Sequence, residues 1–126
     1  MKELLRFDLV YLATPYSKFP GGIQAAFIDA ACIAARLLRA GVKVYSPITH
    51  THPIAILGMI DPLDHAIWLP FDQSMMNKAD ALCIAMMDSW EISKGIAHEI
   101  DYFLTHDKPI FHLDPTNLLI TAPRPR

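Results

Sequence analysis

The stretch that most constrains this chain runs from Asp80 to Phe103. It opens on a short apolar run, residues 81–87, bounded by Asp80 and Asp88. Such a run reads as a buried strand, although periodicity alone does not separate it from a buried helical segment. A polar loop follows over residues 88–92. Ser93 then stands where a helix N-cap stands, with Gly95 two residues on. From Ile92 onward, Ile96, Ile100, Phe103 and Leu104 recur at helical spacing. The unit is strand, loop, helix. It carries one carboxylate, Asp88, at the strand's C-terminal end and another, Glu99, in the helix's second turn.

Ligands of open α/β sheets bind beyond the carboxyl ends of the strands, so this unit holds a candidate site. Helical side chains lean toward the N-terminus, which lays Glu99 over Gly95, and a glycine leaves space there. The nearby helix N-terminus is expected to help keep Glu99 ionised. The plain alternative is a solvated surface glutamate. Its usual support is missing, because the residues three and four positions away are Gly95, Ile96, Tyr102 and Phe103, none of them basic.

The rest of the chain supplies a frame for that unit. Residues 9–13, LVYLA, read as a first strand, with Tyr11 either a core residue or a site residue. The loop 14–22 is rich in turn residues and includes Tyr16 and Ser17. It is neither a dinucleotide fingerprint nor a P-loop, and Lys18 is its only base. Its backbone can still offer donors at the following helix N-terminus, or it can be a plain connection. Residues 23–40 form the clearest helix, with an apolar stripe through Ile23, Phe27, Ala30, Ala34 and Leu37 and with Gly41 as its stop. Residues 42–45 read as a second strand ended by Ser46 and Pro47, so strand, helix and strand make a parallel βαβ unit.

Residues 48–60 are the hardest to place. Their notable content is His50-Thr51-His52, a spacing that aligns the two imidazoles only on an extended backbone. A metal centre would need further ligands, for which Asp61, Asp64 and His65 are at hand; histidines that cap or line a pocket are the simpler reading. Asp61-Pro62 reads as a helix start, and Leu63, Ile67 and Trp68 share a face after it. Pro70 is expected to break or kink that helix, with a second piece over residues 71–78 carrying Asp72, Met75 and Met76. Spacing alone does not say whether Asp72 reaches the site. A turn at residues 106–109, a fourth strand at 110–113 and a short fifth strand or docked tail at 118–120 complete the chain. The terminal APRPR reads as mobile or as a subunit contact.

At 126 residues the chain is one domain, residues 1–126, with room for a real core. A net charge of −2 gives no electrostatic footprint for a nucleic acid polymer or an anionic membrane. Cys32 and Cys83 lie in apolar segments and read as buried thiols of a reducing compartment. There is no signal-peptide layout, and no apolar run approaches the ~20 residues of a bilayer span. A soluble, cytoplasmic protein is expected.

Several of these residues recur together in one known group. The first strand and loop read Tyr11-Leu-Ala-Thr-Pro-Tyr16-Ser17, and Gly41 leads into Val44-Tyr45-Ser46-Pro47. Asp72, Ala79-Asp80, Trp90, Ser93, Gly95 and Glu99-Ile100 follow in order. Over most of positions 9 to 104 the chain resembles the nucleoside 2-deoxyribosyltransferase-like superfamily, in particular its small bacterial members. The resemblance implies a Glu nucleophile at Glu99, an Asp at Asp72 that helps protonate the departing base, and a tyrosine, Tyr11, beside the nucleophile. It implies Tyr16, Ser17, Asp88, Trp90, Ser93 and Gly95 around the substrate, with no metal and no cofactor. The loop 88–95 is longer than in the true transferases and carries Trp90-Glu91, and the segment around His50 and His52 has no counterpart there.

The expected fold is α/β: a three-layer, doubly wound parallel sheet of four to five strands, flavodoxin-like or Rossmann-like. The expected activity is hydrolysis or transfer at the N-glycosidic bond of a nucleoside or nucleotide. The competing expectation is a non-catalytic nucleotide-binding or regulatory protein on the same fold, and a weaker one is a metal-dependent hydrolase built on His50 and His52. A homo-oligomer, dimer or tetramer, is expected, because short domains of this kind complete their pockets across subunits.

Overall fold

Parallel strands buried on both faces are continuous apolar runs, and two such runs build the centre of this molecule. The computed structural model describes residues 1–121, so the expectation for the terminal APRPR lies outside the described residues. A short helix α1 (Lys2–Leu5) leads to β1 (Val10–Ala13), α2 (Ile23–Arg39), β2 (Val44–Tyr45) and α3 (Pro47–Leu57). Then come α4 (His65–Lys78), β3 (Ala81–Ala85), α5 (Lys94–Thr105), β4 (Ile110–Leu113) and β5 (Ile120–Thr121). The strand order is β2-β1-β3-β4-β5; β1 pairs in parallel with β2 and β3, β3 pairs in parallel with β4, and β5 joins β4 antiparallel. The expected three-layer α/β architecture is present, with an antiparallel edge strand added to a parallel sheet.

Alternation along the strands divides the core. Val10, Leu12, Ala81, Cys83 and Ala85 face α2, where they meet Ile33 and Leu37. Tyr11, Ala13, Leu82 and Ile84 face the other way, against Met76 of α4 and Ile96 and Phe103 of α5. The order of strand addition reverses at β1: β2 lies on one side of it and β3 on the other, all three parallel. The carboxyl ends of β1 and β3 therefore flank a topological switch point. Helix α2 stops where expected, because Gly41 takes φ +94° while its N–H and that of Val42 close back onto Leu38 and Leu37.

Three segments complete or correct the expectation. The segment around His50 is helical. Ser46 caps α3 by accepting from the Thr49 N–H at 3.4 Å, and Pro47 follows at the first helical position. The Ser-Pro start signal is present in the sequence, but β-branched residues and Pro53 obscure the helix after it. Second, Asp61 does not open α4; it makes a local turn, its carboxylate accepting from the Leu63 N–H, while Asp64 caps the helix by accepting from Ala66. Third, Pro70 does not divide α4, which runs unbroken from His65 to Lys78. One continuous helix is what carries Asp72 from the surface to the switch point.

The C-terminal end of α4 is held from outside. The Lys108 ammonium donates to the carbonyls of Met76, Asn77 and Ala79 at 3.0, 2.9 and 2.8 Å. A cation at this end satisfies orphan carbonyls and complements the helix dipole. Lys108→Met keeps the alkyl stem and removes the cage, so it is expected to cost about 1–3 kcal/mol in urea unfolding. An unchanged midpoint would show that water replaces the ammonium without loss.

Candidate active site

Three elements meet at the switch point. The loop after β1 brings Thr14, Tyr16 and Ser17, α4 brings Asp72, and the first turns of α5 bring Ser93, Gly95 and Glu99. These residues line one cavity of about 150 Å³. The α5 start is built as expected, with the Ser93 hydroxyl accepting from the Ile96 N–H at 3.2 Å. A Cβ placed on Gly95 would meet only the Ser93 hydroxyl, at 3.8 Å, so the space above this residue is open.

Glu99 and Asp72 are both half-buried, packed round by protein yet facing the cleft. Burial pushes the Glu99 carboxyl up; the Tyr11 hydroxyl draws it part of the way back, Asp72 raises it further, and it comes to about 8. Burial pushes Asp72 up to about 6. The expectation that the α5 N-terminus keeps Glu99 ionised is therefore wrong: desolvation outweighs the dipole of one exposed helix end. At neutral pH the pair holds one proton, and Glu99 binds it more tightly.

Two tyrosines stand behind the carboxylates. Tyr11 is fully buried, and desolvation and then Glu99 push its phenol far up. Its hydroxyl makes no hydrogen bond of regular geometry, yet it lies near enough to Glu99 to stabilise that carboxylate. We read this as a loose donor contact. Tyr45, packed on Tyr11 at 5.7 Å between ring centroids, is raised by burial and then by Asp72 and Glu99. Thr14 Oγ1, Asp72 Oδ1 and the two tyrosine hydroxyls are buried without a hydrogen-bond partner of regular geometry. Buried polar atoms left open cost stability, and a group of them round one cleft is the imprint of a polar ligand.

Tyr16, Ser17, Ser93, Gly95, Asp72 and Glu99 are thus brought together, and Tyr11 stands behind them. Asp88 and Trp90 are not. Asp88 is exposed and faces an open crevice of about 630 Å³ on the α2 side, together with Asp29, Cys32 and Arg36. The turn after β3 directs it away: Ser89 adopts φ 72°, and a short 3-10 turn, Trp90–Ile92, follows. Trp90 packs against the α5-side core and edge-on to His112 at 5.6 Å. That crevice is larger than the carboxylate cleft, but the two shifted carboxylates line the cleft, and Thr14 Oγ1 and Asp72 Oδ1 are left without a partner in its wall, which marks it as the chemical site. Cys32, expected to be buried, is exposed there, whereas Cys83 is buried.

Thr14, Thr51, His65 and Lys94 also line the cleft and were not singled out from the sequence as site residues. Thr14 is the residue that follows β1, so the strand-end rule alone could have found it. His50 and His52 do not converge, because two helical residues at that spacing point to opposite sides. His50 is exposed and stacks on Phe71, and His52 is buried with both ring nitrogens engaged. Among the described residues no group of three or more His, Cys, Asp or Glu side chains could hold a metal ion.

The Glu99 shift has a consequence for stability. Below the ordinary value of 4.5 the carboxyl is neutral in folded and unfolded chains alike. Between there and about 8 the unfolded chain ionises first, so stability falls as pH rises. Glu99→Gln removes this penalty. It is expected to match the wild type at pH 4 and to exceed it by about 2 kcal/mol at pH 8. Chemical denaturation at the two pH values measures it; a destabilised variant at pH 8 would mean that Glu99 is ionised in the fold.

No curated protein matches the chain. The pattern of one family matches residues 8–114, from the approach to β1 through the end of β4, and so takes in every strand but the edge strand β5 and every residue of the cleft. The chain belongs to that family, which is described as a domain of unknown function, DUF1937.

Proposed function

We propose that this protein cleaves the N-glycosidic bond of a nucleoside or nucleotide, with Glu99 as nucleophile and Asp72 as proton donor. One observation carries the reading: two half-buried carboxylates share a cleft at the switch point, and their surroundings set their proton affinities apart. The resemblance to nucleoside 2-deoxyribosyltransferases supplies the substrate class. The Glu99 carboxylate attacks the anomeric carbon, the carbon–nitrogen bond breaks, and its electron pair goes to the base. Asp72 delivers a proton to the leaving nitrogen. Water or a second base then takes the sugar from the glutamyl ester.

In the free protein the shared proton sits on the wrong carboxylate for this step. Moving it from Glu99, at about 8, to Asp72, at about 6, costs about 3 kcal/mol. Positive charge developing on the sugar stabilises the Glu99 carboxylate and offsets that cost. The cleft volume of about 150 Å³ is below the roughly 300–1,000 Å³ of sites that enclose a whole drug-sized ligand. It encloses a pentose and leaves the remainder of the substrate to extend outward.

Incubation with a panel of nucleosides and nucleotides, with free base read by chromatography, tests the reading. Cleavage requires one proton on the pair, so kcat/KM is expected to peak between about 6 and 8 and to fall on both sides. Glu99→Gln is expected to lose a thousandfold or more, on the order of 4 kcal/mol in barrier. Asp72→Asn is expected to recover with a base that leaves easily, because a good leaving group needs less proton assistance. Gly95→Val is expected to fold to within about 1 kcal/mol of wild type and to lose binding, since its methyls fill the space under Glu99. A Glu99→Gln variant as active as wild type ends the nucleophile assignment. Binding without cleavage across the whole panel would leave a non-catalytic nucleotide-binding protein.

Self-association belongs to the same proposal. Ile67, Leu69 and Phe71 are 46, 37 and 39% exposed on α4, beside the cleft. A dimer or tetramer formed through residues 68–76 would cover them. Among the described residues no helix is long and apolar enough to cross a membrane. Light scattering at micromolar concentration is expected to give a dimer or larger, and a strict monomer would remove the idea.

A further inference from the structure

His52 is buried, at 3% exposure, and the carboxylate chemistry does not use it. It comes from the middle of α3 and projects toward the first turn of α2. Its Nε2 lies 2.8 Å from Gln24 Oε1, and its Nδ1 lies 2.5 Å from the Tyr16 hydroxyl. Phe27 stacks on the imidazole at 4.7 Å between centroids, and the Tyr16 ring meets it edge-on at 5.6 Å. Tyr16 itself lines the cleft that holds Asp72 and Glu99.

The three groups fix one another's protons. With the Gln24 amide oriented as it stands, oxygen toward the ring, that oxygen only accepts, and the hydrogen between Gln24 and His52 is assigned to Nε2. A neutral imidazole with its proton there has a bare lone pair at Nδ1. That lone pair accepts from the Tyr16 hydroxyl. The single proton of Tyr16 is then spent inside the protein, and only lone pairs of its oxygen remain for the cleft. Burial lowers the proton affinity of His52 and raises Tyr16 to about 12, so neither group gains or loses charge near neutral pH.

We propose that Gln24 and His52 are positioning residues that hold the Tyr16 hydroxyl as a hydrogen-bond acceptor toward the cleft, making Tyr16 a specificity residue that selects a ligand presenting a hydroxyl donor beside the carboxylates. The sugar as the source of that hydroxyl rests on the N-glycosidase reading; the orientation of the Gln24–His52–Tyr16 chain does not. A sugar hydroxyl that donates to Tyr16 is matched. An ether oxygen at the same place faces a second acceptor with no proton between them, which a site of fixed polarity rejects.

Two measurements separate the orientation from the substrate class. Long-range proton–nitrogen correlation spectra of the free protein at pH 7 are expected to show His52 neutral with its proton on Nε2. A proton on Nδ1, or a charged ring, overturns the proposal whether or not the protein is an enzyme. The second measurement uses a cleaved nucleoside and its analogues with each sugar hydroxyl methylated in turn; if none is cleaved, Kd by calorimetry replaces kcat/KM. One analogue is expected to lose tenfold or more with the wild type, roughly the cost of one unmatched polar contact. His52→Leu frees the Tyr16 proton for the ether, so that loss is expected to shrink to about threefold or less. His52→Asn, whose amide oxygen takes the place of Nδ1, is expected to restore the discrimination. A merely structural His52 would change all the probes by the same factor and leave their ratio fixed. An unchanged ratio in His52→Leu, or no binding of any probe alongside the expected tautomer, overturns the selectivity.

Discussion

The parallel pairing of β1 with β3 is the constraint on which the rest of the molecule depends. Both strands are buried on both faces, so no edge of either can be exposed without losing the core. Their register sets Val10 opposite Ala81 and Tyr11 opposite Leu82. A slip of one residue would turn Tyr11 toward α2 and Leu12 toward α5. Tyr11 would then leave Glu99, and that carboxylate would lose the phenol that draws its proton affinity down. The strand pairing that secures the core is therefore also what places the site, and the two cannot vary independently.

Around that centre the protein accepts unfavourable electrostatics. Two carboxyl groups are taken partly out of water close to one another, with no basic side chain among the described residues paired to either. Structural carboxylates are commonly arranged the other way, with a cation or several N–H donors lowering their proton affinity. Glu99 gains only the loose Tyr11 contact, and Asp72 Oδ1 gains no hydrogen bond. Stability is supplied away from the cleft, where the Lys108 cage closes the C-terminal end of the helix that carries Asp72. Tyr102 adds a hydrogen bond to Asn77 on the same turn, tying α5 to α4. Rigid support at a distance from an uncompensated polar cluster is the arrangement expected of a site prepared for a ligand.

The cleft also has two different walls. On the carboxylate side, protons are shared and their placement responds to what binds. On the Tyr16 side, each proton has one place, set by Gln24 and His52 and enforced by the rings of Phe27 and Tyr16. The first wall suits chemistry and the second suits recognition. They lie side by side because the loop after β1, backed by α2 and α3 through Gln24 and His52, meets α4 and α5 at the switch point.

How much of this was legible in the chain differs from element to element. The apolar runs of β1 and β3, the stripe and terminal glycine of α2, and the Ser93 cap of α5 are local signals. They rest on backbone geometry and side-chain periodicity over a few residues, which no distant contact overrode. Glu99 and Gly95 were readable for the same reason, since one helix turn relates them. The helix α3 was hidden, because its β-branched residues and Pro53 oppose helical propensity and packing against α2 supplies what they lack. The unbroken passage of α4 through Pro70 was hidden likewise. Asp88 faces the α2-side crevice and Trp90 packs into the α5-side core, so neither lines the cleft; the left-handed Ser89 stands between them, a conformation that residue type alone does not dictate. The sequence by itself determined the strands β1 and β3, the helices α2 and α5, and which carboxylate stands at a helix start. Only the tertiary structure decided that Asp72 joins Glu99, that burial overrides the helix dipole on that glutamate, and that His52 reaches Tyr16 and Gln24, since proton affinity and side-chain pairing depend on neighbours brought from remote parts of the chain.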